Sequence, residues 1–303
     1  MLSEIEIIPS YKINKSRWDE CIRSSSNAII YATSFYLDHM ADNWSGIIVN
    51  DYECVMPVCW RKKFGLKYCY HVSFIQQLGW FPKSAFSDTS LLLKTLFGFC
   101  KYGYYPFNYY NKITSERSLK CANNYILPLD KLYAEIIKGY KQTTDYSLKK
   151  ASRQALLYTE ENFTEAIDLY KKLYHYKFLH VTERDFSNFR NLCSYLLEKN
   201  KIIARKVSNE QNETLADIVL INFENKLFNI INNINEGGRK TEANYFLFDS
   251  IFKEFAGRNF IFDFEGSDIP GVKSFYEKFG GVNQPYYKLQ YNHLPAIIKW
   301  LKP

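Results

Sequence analysis

The chain has 303 residues, 47% hydrophobic and 23% charged, which is enough apolar material for a real core and excludes general disorder. At roughly 100–200 residues per domain the length points to two domains. The formal net charge of +7 arises from 29 Lys against only 10 Arg; phosphate and base recognition leans on arginine forks, so most of these lysines read as solvated surface.

In chain order, Ser16 and Asp19 open a short helix carrying Trp18 and Ile22, and residues 34–40 form another. Residues 47–50, 53–60 and 68–75 are strand-like, with Asn50-Asp51 and the segment RKKFGLK as turns. Residues 91–100 are helical, and 125–129 read as a strand closing the unit, with Pro128 suited to an edge or a strand end. From Lys131 the pattern repeats: helical periodicity over 132–140 and 146–155, a short strand at 156–159, and a helix opened by Asn162 and Glu165. A helix from Asp185 carries Phe186, Phe189, Leu192, Cys193, Leu196 and Leu197 at the spacing of a core-facing stripe. Three strands follow at 202–207, 215–223 and 227–234, then the break Asn235-Glu236-Gly237-Gly238 and a helix presenting Ala243, Phe246, Leu247, Ile251 and Phe255. The buried strand NFIFDFEG, a last helix over 268–279 ended by Gly280-Gly281, and a closing strand complete the chain.

No run approaches the ~20 apolar residues of a bilayer helix, and the first ten residues, MLSEIEIIPS, lack the basic stretch of a signal peptide, so the expected location is the cytoplasm. The seven cysteines (21, 54, 59, 69, 100, 121 and 193) are scattered without a C-x-x-C or a nearby histidine pair. They read as small buried hydrophobes, and no metal is expected. There is no G-x-S-x-G elbow, no G-x-x-x-x-G-K-[ST] phosphate loop and no H-E-x-x-H. His39, His71, His175, His180 and His293 have no partner at catalytic spacing. Two basic clusters, Arg61/Lys62/Lys63/Lys67 and Lys149/Lys150/Arg153, suit either an anionic ligand or a solvated hairpin tip and helix face.

A strand joined through a helix to a neighbouring parallel strand gathers ligands at the strands' carboxyl ends. The segment NEGGRKTEANYFLFDSIF, 235–252, follows one strand directly and opens a helix. Free N–H groups there favour an anion, and glycines admit a phosphate close to the backbone; a plain tight turn fits the same residues. Asp263 and Glu265 stand at i and i+2 in FDFEG, with Phe262 and Phe264 alternating. Two like charges at the end of a buried strand raise one pKa, which suits a general base; a structural pair bonded to backbone or lysine is the other reading. Tyr276 can donate a proton to a leaving group, and it also falls in the apolar stripe Val272, Phe275, Tyr276, Phe279.

With this order of elements, the second half resembles the GNAT superfamily of acyl-coenzyme A-dependent N-acyltransferases. PGVKSFYEKFGG, 270–281, resembles that family's terminal helix with its Y-x-x-x-G ending, matched by Tyr276 and Gly280. Together with IYATSFYLDHMADNW (30–44), FIQQLGWF (74–81) and FDFEGSDIPGVKSFYEKFGG (262–281), the whole chain resembles the double-GNAT arrangement of the Fem-type aminoacyltransferases. The resemblance implies an α/β (α+β) fold of two tandem GNAT-like domains, each a mixed, mostly antiparallel sheet flanked by helices: 1–139, a degenerate copy shaping the acceptor cleft, and 140–303, holding the donor. It implies an N-acyltransferase that moves an acyl group from acyl-CoA (acetyl-CoA) by direct attack to a small-molecule or peptide/glycan-linked amine. Its donor-binding residues would be Asn233, Ile234, Asn235, Gly237, Gly238, Arg239 and Lys240, and its catalytic residues Glu265, Tyr276 and Asp263. Two departures stand out: the usual [QR]-x-x-G-x-[GA] loop keeps only its first glycine, with Arg239 at the second position, and the asparagine usual at the last helix has no counterpart near Ser267. A Fem-type variant takes aminoacyl-tRNA, with Lys149, Lys150 and Arg153 on RNA phosphates, although the short connections leave no room for a long helical arm. A non-catalytic GNAT-shaped binding protein is the third reading.

Overall fold

The computed structural model describes residues 4–84, 88–113, 118–177, 180–266 and 268–296, so Ser267 lies outside the described residues. The chain divides into two compact units, Met1–Ala122 with Pro285–Pro303, and Asn123–Gln284. The first begins with β1 (Ile5–Pro9), α1 (Lys15–Ser24), α2 (Ser34–Met40), β2 (Trp44–Val49), β3 (Cys54–Lys63), β4 (Leu66–Cys69), β5 (Phe81–Pro82), α3 (Thr89–Phe99), β6 (Tyr102–Phe107) and β7 (Leu119–Ala122). The second runs through β8 (Tyr125–Pro128), α4 (Tyr133–Ile136), α5 (Gln142–Ala151), β9 (Leu157–Glu160), α6 (Phe163–Tyr174), α7 (Glu183–Glu198), β10 (Ile202–Ser208), β11 (Thr214–Phe223) and β12 (Lys226–Ile234). It ends with α8 (Glu236–Thr241), α9 (Ala243–Phe255), β13 (Ile261–Glu265), α10 (Pro270–Lys278) and β14 (Val282–Asn283), after which β15 (Tyr286–Asn292) returns to the first unit.

Each unit is built on a mixed sheet. The first has the order β1-β2-β3-β4-β6-β15-β7 with β5 on β3, and the second β14-β8-β13-β12-β11-β10-β9. In each, one pair is parallel, β4 with β6 and β12 with β13, and the other strand pairs are antiparallel.

Two strands lie across the boundary expected at 139/140. The segment expected to close the first unit is β8, which pairs with β13 (Phe262 opposite Leu127) in the second sheet. It covers a flank of β13 whose N–H and C=O groups would otherwise lack partners. The closing strand β15 belongs to the first sheet, between β6 and β7. Alternating apolar residues make both segments strands, but they do not name the partner.

In the second unit α9 lays Ala243, Leu247, Phe248, Ile251, Phe252 and Phe255 on one sheet face, against Leu220, Leu227, Phe262 and Phe264. The opposite face meets α6, where buried Asn233 donates to the Ala166 carbonyl at 2.8 Å. Phe248 centres the aromatic cluster, with Phe264 stacked at 5.8 Å and Phe275 edge-on at 5.2 Å.

In the first unit, the stretch FIQQLGWF turns back along β6, with Leu78 bridging to Phe107 in parallel and Trp80 edge-on to the Phe107 ring at 5.7 Å. Asparagines fasten it: the Asn108 amide donates to Leu78 O at 2.9 Å, Asn27 to Trp80 O at 2.9 Å, and Trp80 N–H to Asn111 Oδ1 at 3.0 Å. Gly79 has a φ of +115°, and a Cβ there would sit 1.7 Å from Asn111 Oδ1, so the segment tolerates only glycine. Its motif-like appearance thus has a packing cause.

Six of the seven cysteines are buried and Cys121 is exposed. Among the described residues no helix is long and apolar enough to cross a membrane. Phe248→Ala should open a cavity at the centre of the second core and destabilise the chain by about 3–5 kcal/mol; an unchanged urea midpoint would show that this cluster does not hold the unit together.

Candidate active site

β12 and β13 pair over three positions, Lys226 with Ile261 to Phe228 with Asp263. Beyond them each strand is bulged. Against β11 the register of β12 shifts between Ile231 and Asn229, leaving Ile230 extra, and against β8 the register of β13 shifts between Asp263 and Glu265, leaving Phe264 extra. Bulges bend a strand and increase its twist, and here two of them flank the point where the parallel pair ends. A cavity of about 840 Å³ lies there, walled by β12 (Asn229, Ile230, Asn232, Ile234), β13 (Phe264, Glu265), α10 (Val272, Phe275, Tyr276) and Tyr170 and Tyr174 of α6.

The bulge separates the two carboxylates that alternation would place on one face. Glu265 lines the cavity and has a φ of +66°, a backbone conformation that is costly for a residue with a side chain. Asp263 is not among the lining residues. It is 6% exposed, accepts the Glu265 N–H at 2.9 Å and receives Asn124 Nδ2 at 3.3 Å. Asp263, expected to be catalytic, thus stands off the cavity and bonds the backbone that carries Glu265. Burial pushes its pKa up to about 6, opposed by the Glu265 N–H, Lys226 and Asn124.

Tyr276 lines the same cavity as Glu265. Its ring packs on Phe264 at 4.8 Å. Burial first, then the charges of Glu265 and Asp263, raise its pKa well above the ordinary tyrosine value, so the phenol keeps its proton at neutral pH. The Tyr276–Gly280 spacing is that of a helix end, since Gly280 follows α10 with a φ of +80°.

The glycine junction is occupied by the protein itself. Asn235 caps α8 and takes the Gly238 N–H at 2.8 Å. Gly238 is buried against β11, where an added Cβ would lie 2.2 Å from Leu215 O. These glycines therefore seat a six-residue helix on the sheet. Among the other residues expected to bind the donor, Asn233 bonds Asp217 at 2.5 Å on the face toward α6, and Lys240 pairs with Glu236 on the surface at 2.7 Å. Ile234 and Arg239 do line the cavity. The Ile234 main chain is covered: the Tyr174 hydroxyl accepts its N–H at 3.2 Å and reaches its carbonyl at 3.4 Å. At this junction the Gly238 and Ile234 amides are therefore engaged within the protein.

The cavity wall includes two cationic side chains, Lys177 and Arg239, against three carboxylates, Glu242, Glu265 and Asp268. Glu242 receives Lys150 at 3.0 Å, which brings the basic end of α5, with exposed Lys149 and Arg153, to the cavity rim. Asn229, at the apex, is 5% exposed; its amide is 3.5 Å from Phe264 O while its Oδ1 has no hydrogen-bond partner. Asn229, Tyr170, Tyr174 and Lys177 escape a sequence reading. Their signals are asparagines in the otherwise apolar FNIINNIN strand, costly when buried, and tyrosines at i and i+4 on α6.

Behind the cavity, Asp217 is 1% exposed, and burial holds its pKa at about 7. Unfolded aspartates release their proton near ~3.9. Above that value the folded chain binds more protons than the unfolded one, so this contribution to stability is full below pH ~4 and is lost as pH rises through the folded values of Asp263 and Asp217. Asp217→Asn keeps an oxygen for Asn233 and has no proton to lose. It should gain on the parent between about pH 5 and pH 8, by about 1 kcal/mol or more; parallel urea-stability curves across that range would contradict the assignment.

No protein-family model matches the chain, and no curated protein does. Among solved structures, FemX superposes with a TM-score of 0.64 at 11% identity, covering 98% of this chain and 100% of that one. A tandem GNAT protein from the clavulanic acid biosynthesis pathway gives 0.53 at 7% identity, covering 97% and 100%. L-PGS from Bacillus licheniformis gives 0.52 at 10% identity, covering 95% of each chain. At such identities the likeness is one of fold: this chain has a tandem GNAT-like fold of the kind seen in Fem-type proteins, α/β, with two mixed sheets flanked by helices.

Proposed function

We propose that the second unit transfers an acyl group, presented as an aminoacyl ester, to an amine acceptor by direct attack in the cleft between β12 and β13. The observation that carries this reading is that Glu265 and Tyr276 share the wall of the cavity opened by the parting strands. Glu265 takes the proton of the attacking amine, the new N–C bond forms, and the C–O bond of the ester breaks as Tyr276 protonates the departing oxygen. Proton return from Glu265 to the phenolate, directly or through water, restores both groups. Asn229 Oδ1, buried and without a partner at the apex, offers an acceptor for an N–H of the incoming amine or of the aminoacyl group.

Three features favour an ester over a coenzyme A thioester. The Gly238 amide is already capped. With Glu242 paired to Lys150, Glu265 and Asp268 balance Lys177 and Arg239, so the wall lacks the excess of positive charge that a polyphosphate favours. A departing alkoxide needs a proton donor such as the Tyr276 phenol in order to leave, whereas a thiolate, with a parent pKa of about 8.5, can leave without one. The exposed Lys149 and Arg153 near the rim suit the phosphates of an RNA-borne ester. Acyl-coenzyme A is the second reading, supported by Arg239 and Lys177 in the cavity wall. The acceptor class is a small-molecule or peptide/glycan-linked amine.

Glu265→Gln and Tyr276→Phe should each lower turnover by ~10²–10⁴ while leaving donor affinity nearly unchanged. Loss of the base removes the acidic limb of the pH profile, and loss of the tyrosine the alkaline limb. Full activity in both variants would refute these roles. Thermal stabilisation by coenzyme A but not by aminoacylated RNA would replace the ester with the thioester, and stabilisation by neither, with no turnover, would favour a non-catalytic binding protein.

A further inference from the structure

The hairpin joining β3 to β4 reads Arg61-Lys62-Lys63-Phe64-Gly65-Leu66-Lys67, and folding explains little of its tip. Phe64 is 93% exposed and has a φ of +49°, so a large apolar side chain stands in water at a position that favours glycine or asparagine. Lys62 lies directly opposite Lys67, a like-charge pairing that weakens a ladder. The base of the hairpin is anchored: Arg61 bonds Asp42 at 2.5 Å and stacks on Tyr70 at 3.9 Å, while the Lys67 ammonium sits 3.8 Å from the Phe99 ring centre. Among the described residues no carboxylate pairs with Lys62, Lys63 or Lys67.

We propose that this tip is a peripheral anchor for an anionic bilayer surface, with Phe64 seated at the headgroup boundary and Lys62 and Lys63 on the lipid phosphates. Apolar insertion and a cationic collar act together on such a surface and give reversible binding. The lysine stems lie along the apolar layer while their ammonium groups remain at the headgroups. Attraction to an anionic leaflet acts on each cation near the surface. A contact with RNA would call instead for free guanidinium forks; Arg61 is already bonded to Asp42, and the cation over the Phe64 ring is the Lys63 ammonium at 5.5 Å.

The test is co-sedimentation of the full chain with phosphatidylcholine vesicles containing about 30% phosphatidylglycerol, at about 0.1 M salt. Partition into these vesicles, abolished by high salt and missing with pure phosphatidylcholine, is the expected result. Phe64→Ser should lower the partition coefficient roughly tenfold, and Lys62→Gln with Lys63→Gln about 25-fold, near fivefold per charge. These side chains are exposed, so melting temperatures should stay within a degree or two of the parent. Quenching by brominated lipid of a Phe64→Trp variant beyond that of the parent would report insertion directly. No partition, or equal partition of the parent and both tip variants, overturns the proposal. So does tRNA binding that the lysine changes weaken and vesicles do not compete away.

Discussion

The bond from the Glu265 N–H to the Asp263 carboxylate closes the bulge that ends β13, and the shape of the second unit's cavity depends on it. Continued alternation would have kept β13 paired to β12 and placed both carboxylates side by side. Instead one carboxylate is buried as a backbone acceptor, and the other enters the cavity on a residue with positive φ. The matching bulge at Ile230 bends β12, so the parallel pair ends after Phe228. The resulting opening lies at the carboxyl ends of parallel strands, the position where open α/β sheets collect ligands.

The two units use similar sheets differently. In each, a short parallel pair marks the middle of the sheet. In the first, the chain after β4 returns beside β6, and asparagine side chains satisfy its backbone groups. In the second, the corresponding pair parts into a cavity that keeps an unpartnered Asn229 oxygen at its apex. Buried acceptors without a partner cost stability; Asn27 Oδ1 in the first unit and Asn233 Oδ1 share this state, and Asn229 differs from them in lining the cavity.

Much of the fold was legible because local chemistry decides it. The strands 202–207, 215–223 and 227–234 emerged within one or two residues of their bounds, and Asn162 caps α6 through the Thr164 N–H as its position suggested. What stayed hidden was non-local. Nothing in residues 125–129 tells whether they pair with β13 or with a strand of the first sheet, and nothing in the final strand says that it returns to β6. Glu265 and Tyr276 were legible as cavity residues from strand-end position and helix ending. Asp263 lies off the cavity because a bulge breaks the period-two rule, and a glycine that packs on Leu215, as Gly238 does, looks the same in sequence as one needed for a phosphate.

The most direct test is backbone hydrogen exchange of the full chain with and without a non-hydrolysable, amide-linked aminoacyl-RNA minihelix. If the parted strands hold the donor, exchange slows at residues 229–234 and 264–276, while the packed segment 74–81 of the first unit is unchanged. Slowing confined to the first unit, with 229–234 and 264–276 unaffected, would contradict the placement of the reaction in this cleft.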